Sequence, residues 1–153
     1  MTYSIDTSAL LDCWIRHYPP DVFPSIWVRI EELIGEGVLM ATEEVLFELK
    51  KVDDDVFRWA KKHSSMFVLV DEEIQRAVAN ILQSYPRLVD TRKNRSRADP
   101  FVIGLAQIKD CAVVTGEAVT GKIEKPNIPD VCMALGIQYL KPLDMFREQS
   151  LKL

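Results

Sequence analysis

A chain of 153 residues is long enough for one domain around one hydrophobic core. Apolar residues at 48% and charged residues at 27% exclude wholesale disorder, and a net charge of −4 excludes a generally basic protein that coats nucleic acid, though not a local basic patch. Apolar runs are far below spanning length, no basic or apolar leader opens the chain, and Cys13, Cys111 and Cys132 lack CxxC spacing, so a cytoplasmic protein with no membrane partner, disulfide framework or zinc knuckle is expected.

The elements follow in chain order. Residues 3–6 read as a strand, with a helix cap at Thr7 or Ser8 and a short helix through Leu10, Leu11, Trp14 and Ile15. Pro19-Pro20 ends that helix. Pro24 opens the next, where Ile26, Trp27, Ile30, Leu33 and Ile34 make one apolar stripe, and Gly35 and Gly37 stop it. Thr42 caps a third helix carrying Val45, Leu46 and Leu49. Asp53-Asp54-Asp55 starts a fourth that ends in Lys61-Lys62, an order that suits the helix dipole.

Residues 66–70 have the look of a buried strand. Asp71 caps a helix with Ile74, Ala77, Val78, Ile81 and Leu82 in phase, closed by Pro86. A polar loop spans 87–97. Asp99-Pro100 opens another helix, 111–115 is a strand and 116–127 is irregular. A short helix over 129–135 closes at Gly136, a strand covers 137–140, and a last helix covers 143–151. Four strands separated by helices imply crossover connections, a parallel sheet and helices on both faces, hence an α/β fold formed by all of 1–153 as a single domain.

In such sheets, sites lie beyond the carboxyl ends of the strands. Asp6 and Glu117 stand at two of those ends. Glu48 shares a helical stripe with Val45, Leu49 and Val52, and Asp99 shares one with Val102, Ile103 and Ala106, so both point toward the core side. A buried carboxylate is costly unless it is paired, protonated or on a metal, and no Lys or Arg lies in these stripes. Acids from separate elements meeting at one strand end would form an all-oxygen site, which suits Mg²⁺ or Mn²⁺. Gly116 to Lys122 fits GxxxxGK, but Ile123 replaces the required Ser or Thr, and Pro126 and Pro129 follow, so a P-loop is rejected.

The ordered set Ile5-Asp6-Thr7-Ser8, Val45-Leu46-Phe47-Glu48-Leu49, Ala98-Asp99-Pro100 through Ala106, and Val113-Val114-Thr115-Gly116-Glu117 resembles the PIN-domain ribonucleases found as toxins in virulence-associated toxin–antitoxin pairs. The segment Ile128-Pro129-Asp130-Val131-Cys132 is similar to one branch of that family. The resemblance implies a three-layer α/β/α sandwich with a mostly parallel sheet of four to five strands. It also implies Mg²⁺- or Mn²⁺-dependent cleavage of RNA. Asp6, Glu48 and Asp99 match the three core acids. Glu117 stands where the family more often has Asp, and Asp130 is the alternative fourth acid. Thr7, Ser8 and Thr115 match hydroxyl positions that orient acids, water or phosphate.

Segment 87–97 carries a charge of +4, leaving −8 on the rest of the chain. Arg92, Lys93, Arg95 and Arg97 would there hold RNA phosphates, or receive the acidic tail of a small antitoxin protein. Exposed aromatics on the early helices would suit a homodimer. The rival to a nuclease is a catalytically weak PIN-like module that binds RNA or protein.

Overall fold

A computed structural model describes residues 1–89 and 97–151. Arg92, Lys93 and Arg95 lie outside the described residues. The chain forms β1 (Tyr3–Ile5), α1 (Thr7–Leu11), a π-helical turn (Asp12–His17), α2 (Pro24–Gly35), β2 (Leu39–Thr42), α3 (Glu43–Val52) and α4 (Asp54–Lys62). Then come β3 (Phe67–Val68), α5 (Glu72–Ser84), α6 (Asp99–Lys109), β4 (Ala112–Val114), α7 (Ile128–Leu135), β5 (Tyr139–Leu140) and α8 (Pro142–Glu148). The sheet is five-stranded and wholly parallel, in the order β3-β2-β1-β4-β5. Helices cover both faces, so the expected α/β/α sandwich is the observed one.

Local signals set most of the helices. Asp71 accepts from the Ile74 N–H and caps α5, and Thr42 accepts from the Glu44 N–H and caps α3. Asp53 closes α3 and caps α4, accepting from the N–H groups of Asp55 and Val56. Gly136, at φ 71°, takes the left-handed conformation that ends α7. Asp99 is the first helical residue of α6 rather than its cap, which is Ala98.

Two strand expectations change. β2 was not expected, yet it pairs with both β1 and β3. Leu39, Met40 and Ala41 are good helix formers and lack the branched side chains that mark strands, so only their pairing identifies them. Conversely, β3 is not a buried strand. It is two residues long, lies at the sheet edge, and leaves Leu69 74% exposed just after it.

The main core joins the sheet to α1, α2, α3 and α6 through Leu10, Leu33, Leu39, Leu49, Ile103 and Val113, among others. A smaller cluster of Ile74, Val78 and Leu105 locks α5 to α6. Gly104 permits that approach, since a Cβ there would lie 3.0 Å from Val78 Cγ2. Trp14, Trp27 and Trp59 form one aromatic cluster with centroids 4.8–5.8 Å apart. Trp27 and Trp59 are thereby buried, and Trp14 is half-buried. Among the described residues, no helix is long and apolar enough to cross a membrane.

The strand order has one consequence for function. The chain builds outward from β1 through β2 to β3, then returns to place β4 on the other side of β1. The reversal leaves a crevice between β1 and β4 at their carboxyl ends, where ligands bind in open α/β sheets.

Candidate active site

Asp6 directly follows β1 and stands at this crevice. It is 2% exposed. It also caps α1, because Oδ1 accepts from the Ala9 N–H at 2.7 Å. The Ser8 hydroxyl donates to both carboxylate oxygens at 2.9–3.0 Å, and the Thr115 hydroxyl, just past β4, donates to Oδ2 at 2.6 Å. Thr115 therefore joins the two strands that flank the crevice. Burial raises the Asp6 carboxyl to about 7, with the charge of Glu117 adding to the rise, while the hydrogen bonds from Thr115, Ala9 and Ser8 work against it.

The next acid comes from α3. Glu48 is half-buried and Oε1 accepts from the Thr7 hydroxyl at 2.5 Å. Thr7 and Ser8 thus hold two acids from adjacent positions, one each. The stripe containing Glu48 is buried only at Val45 and Leu49, since Val52 is 59% exposed. Asp99 is 7% exposed in the first turn of α6. Because α6 leads directly into β4, its first turn lies at the carboxyl edge of the sheet, the same edge as Asp6. Glu117 is half-buried, and its N–H donates to the Thr115 hydroxyl at 3.0 Å.

The carboxylate of Asp130 is taken up by the loop that follows Glu117. This carboxylate accepts from the Thr120 N–H and hydroxyl, the Gly121 N–H and the Asn127 N–H, all at 2.8–3.1 Å. Burial alone would raise its carboxyl, but these donors hold it below the ordinary value. Asp130 thus pins the loop over 117–127, and with Asn127 it completes a capping box on α7. The same loop shows why the GxxxxGK match is a decoy. No helix begins at its Lys122, and α7 starts only at Ile128. Of the basic residues, Arg97 is described and exposed.

Two residues were not singled out by sequence. Asp12, in the π-helical turn, brings Oδ2 over the backbone of Gly116, where any Cβ would collide with it. A signal for it existed: Ser8 and Asp12 are four apart on one helical face, and Ser8 faces Asp6. Lys141 follows β5, and its Nζ donates to the carbonyls of Gly116 at 2.8 Å and Glu117 at 3.2 Å. It fixes the turn after β4, and only the pairing of β5 with β4 brings it there.

Among the described residues, every buried side-chain nitrogen or oxygen has a hydrogen-bond partner. Asp6 is therefore buried but satisfied, and by neutral groups. A family model described as "Domain of unknown function (DUF4411)" matches residues 3–153. The curated proteins yield no match to the chain.

Proposed function

The chain belongs to the DUF4411 family, whose description assigns no activity, and from the site itself we propose that it is a metal-dependent endoribonuclease of the PIN type. The observation that carries this reading is Asp6, a carboxylate almost wholly removed from water at the switch point of the sheet and held there by two hydroxyls and an amide. Such a group is costly to keep ionised, and a hard cation is the ligand that would repay its burial.

The residues present fit such a cation by donor chemistry. Asp6, Glu48, Asp99 and Glu117 offer oxygen alone, which suits Mg²⁺ or Mn²⁺. Among the described residues, no three His, Cys, Asp or Glu side chains stand together closely enough to enclose an ion. Mg²⁺ is usually held through one or two carboxylates, water and a substrate phosphate rather than by an all-protein cage. When bound, the ion neutralises charge on the phosphoryl group and makes its water a stronger nucleophile.

The protein's own groups have distinct tasks. Thr7, Ser8 and Thr115 fix the orientation of Glu48 and Asp6, so that neither acid must be ordered when substrate arrives. In the metal-free protein burial raises the Asp6 carboxyl to about 7, so a proton and a cation would compete for it near neutral pH. Arg92, Lys93, Arg95 and Arg97 precede Asp99 in the sequence and would bind RNA phosphates. The role of toxin, neutralised by a small antitoxin protein, rests on the family resemblance.

A second reading, a PIN-like module that binds RNA without cutting it, is favoured by the separation of the carboxylates. One experiment tests both. Structured RNA is incubated with the full chain and with its Asp6→Asn and Glu48→Gln variants, in Mg²⁺, Mn²⁺ or chelator. Metal-dependent cleavage that both variants lose supports the nuclease. Binding without cleavage supports the second reading, and an Asp6→Asn protein that cuts like the parent overturns the site.

A further inference from the structure

We propose that the cleft between the π-helical turn and the start of α8 is a subsite for a guanine base. The proposal takes RNA as its ligand from the nuclease reading, but the binding chemistry can be tested without cleavage. The cleft has a volume of about 260 Å³ and includes Gly116 in its lining. It therefore adjoins the turn that carries Thr115 and Glu117, on the β5 side of the crevice.

One wall comes from the π-helical turn. Its wider winding, with the Tyr18 N–H bonded to the Cys13 carbonyl at 2.8 Å, brings positions five apart onto one side. Asp12 and His17 accordingly both line the cleft, and Tyr18 closes the turn beside them. Tyr18 is fixed from behind by edge contacts to Phe23 and Phe146, at 5.8 and 5.5 Å between centroids. The other wall is Lys141, Pro142 and Leu143. Rings on one side and apolar carbons on the other make a slot for a flat ring, and stacking on an aromatic wall is available to every base.

The polar groups select among the bases. A carboxylate only accepts hydrogen bonds and an ammonium only donates them. Asp12, itself half-buried, is held by the exposed Arg16 at 3.4 Å, a long pair that a ligand can replace. Two of the three Lys141 donors go to the Gly116 and Glu117 carbonyls, leaving one for the cleft. Guanine presents two adjacent donors, N1–H and the N2 amino group, beside the O6 acceptor. The donors match Asp12 and the acceptor matches Lys141. Adenine sets its N1 acceptor against the carboxylate and its N6 donor against the ammonium, so both contacts turn repulsive. Uracil and cytosine each keep only one of guanine's two adjacent donors.

The test is a titration of the full chain with guanosine 5′-monophosphate and adenosine 5′-monophosphate in chelator, with RNA cut sites mapped in parallel. A bidentate base contact implies that the guanine nucleotide binds roughly tenfold more tightly, or better. Asp12→Asn should reduce that ratio to near one. Leu143→Asp, at an exposed position on the cleft wall, should weaken both nucleotides, because its carboxylate repels their phosphate, while leaving the fold intact. Equal binding of the two nucleotides, no binding of either, or a guanine preference that survives Asp12→Asn overturns the subsite. RNA cut without regard to guanine, together with equal nucleotide binding, overturns the subsite and leaves the nuclease standing. A guanine preference lost in Asp12→Asn, in a protein that cuts no RNA, supports the subsite and removes the nuclease.

Discussion

Asp6→Asn should stabilise the metal-free protein, and only at the pH values where the parent would be ionised. Raising a carboxyl from its ordinary 3.8 to about 7 corresponds to about 4 kcal/mol at 1.36 kcal/mol per pH unit. The direction follows from proton counting. Between pH 4 and pH 7 the folded state holds the Asp6 proton that the unfolded state has lost, so stability falls as pH rises through that window. The loss is complete above pH 7 and absent below pH 4. Asparagine keeps the acceptor for the Ala9 N–H, and the Ser8 and Thr115 hydroxyls can turn to accept from its amide. The substitution therefore removes charge while retaining the network. At this chain length, 4 kcal/mol is about 10 °C in Tm. Calorimetry of both proteins in chelator, from pH 4 to pH 8, reads the difference, and other titrating groups largely cancel between them. Mg²⁺ or Mn²⁺ should then narrow the gap by stabilising the parent alone. A gap that is constant across the pH range, or a variant less stable than the parent at pH 8, would refute the reasoning.

Other perturbations separate the remaining acids. Asp130→Asn should cost about 1.5–3 kcal/mol, the worth of charge-assisted hydrogen bonds to its loop, with no change in metal affinity; the cost should fade below pH 4 as the parent carboxyl protonates. Glu117→Gln should lower metal affinity roughly 10–100-fold by titration calorimetry. A dead Asp130→Asn enzyme beside a fully active Glu117→Gln one would exchange their roles. Replacing Arg92, Lys93, Arg95 and Arg97 with Gln should reduce the log–log salt slope of RNA binding by roughly 0.7 per lost phosphate contact, and an unchanged slope would free that segment from RNA. Gly104→Ala should cost about 1–3 kcal/mol by forcing α5 from α6, measured by denaturant unfolding.

What the sequence determined by itself is local or chemical. Caps at Thr42, Asp53 and Asp71 and the glycine after α7 mark helix ends because each acts within a few residues. A carboxylate ending a central strand marks Asp6, because burying charge is expensive wherever the strand lies. Only the tertiary structure decided which strands neighbour which. β2 contributes only four residues, too few to carry a period, and its identity is its pairing, while β3 keeps two residues of the strand expected over 66–70. The same holds for side chains. Asp130 looks like a site acid in sequence, but it spends its oxygens on a loop that folds back on it. Asp12 looks like an ordinary helical acid, but the π-helical winding and the bare backbone of Gly116 bring it to the crevice. Residues remote in sequence meet there because the strand order reverses between β1 and β4, and that reversal is a property of the closed sheet rather than of any segment within it.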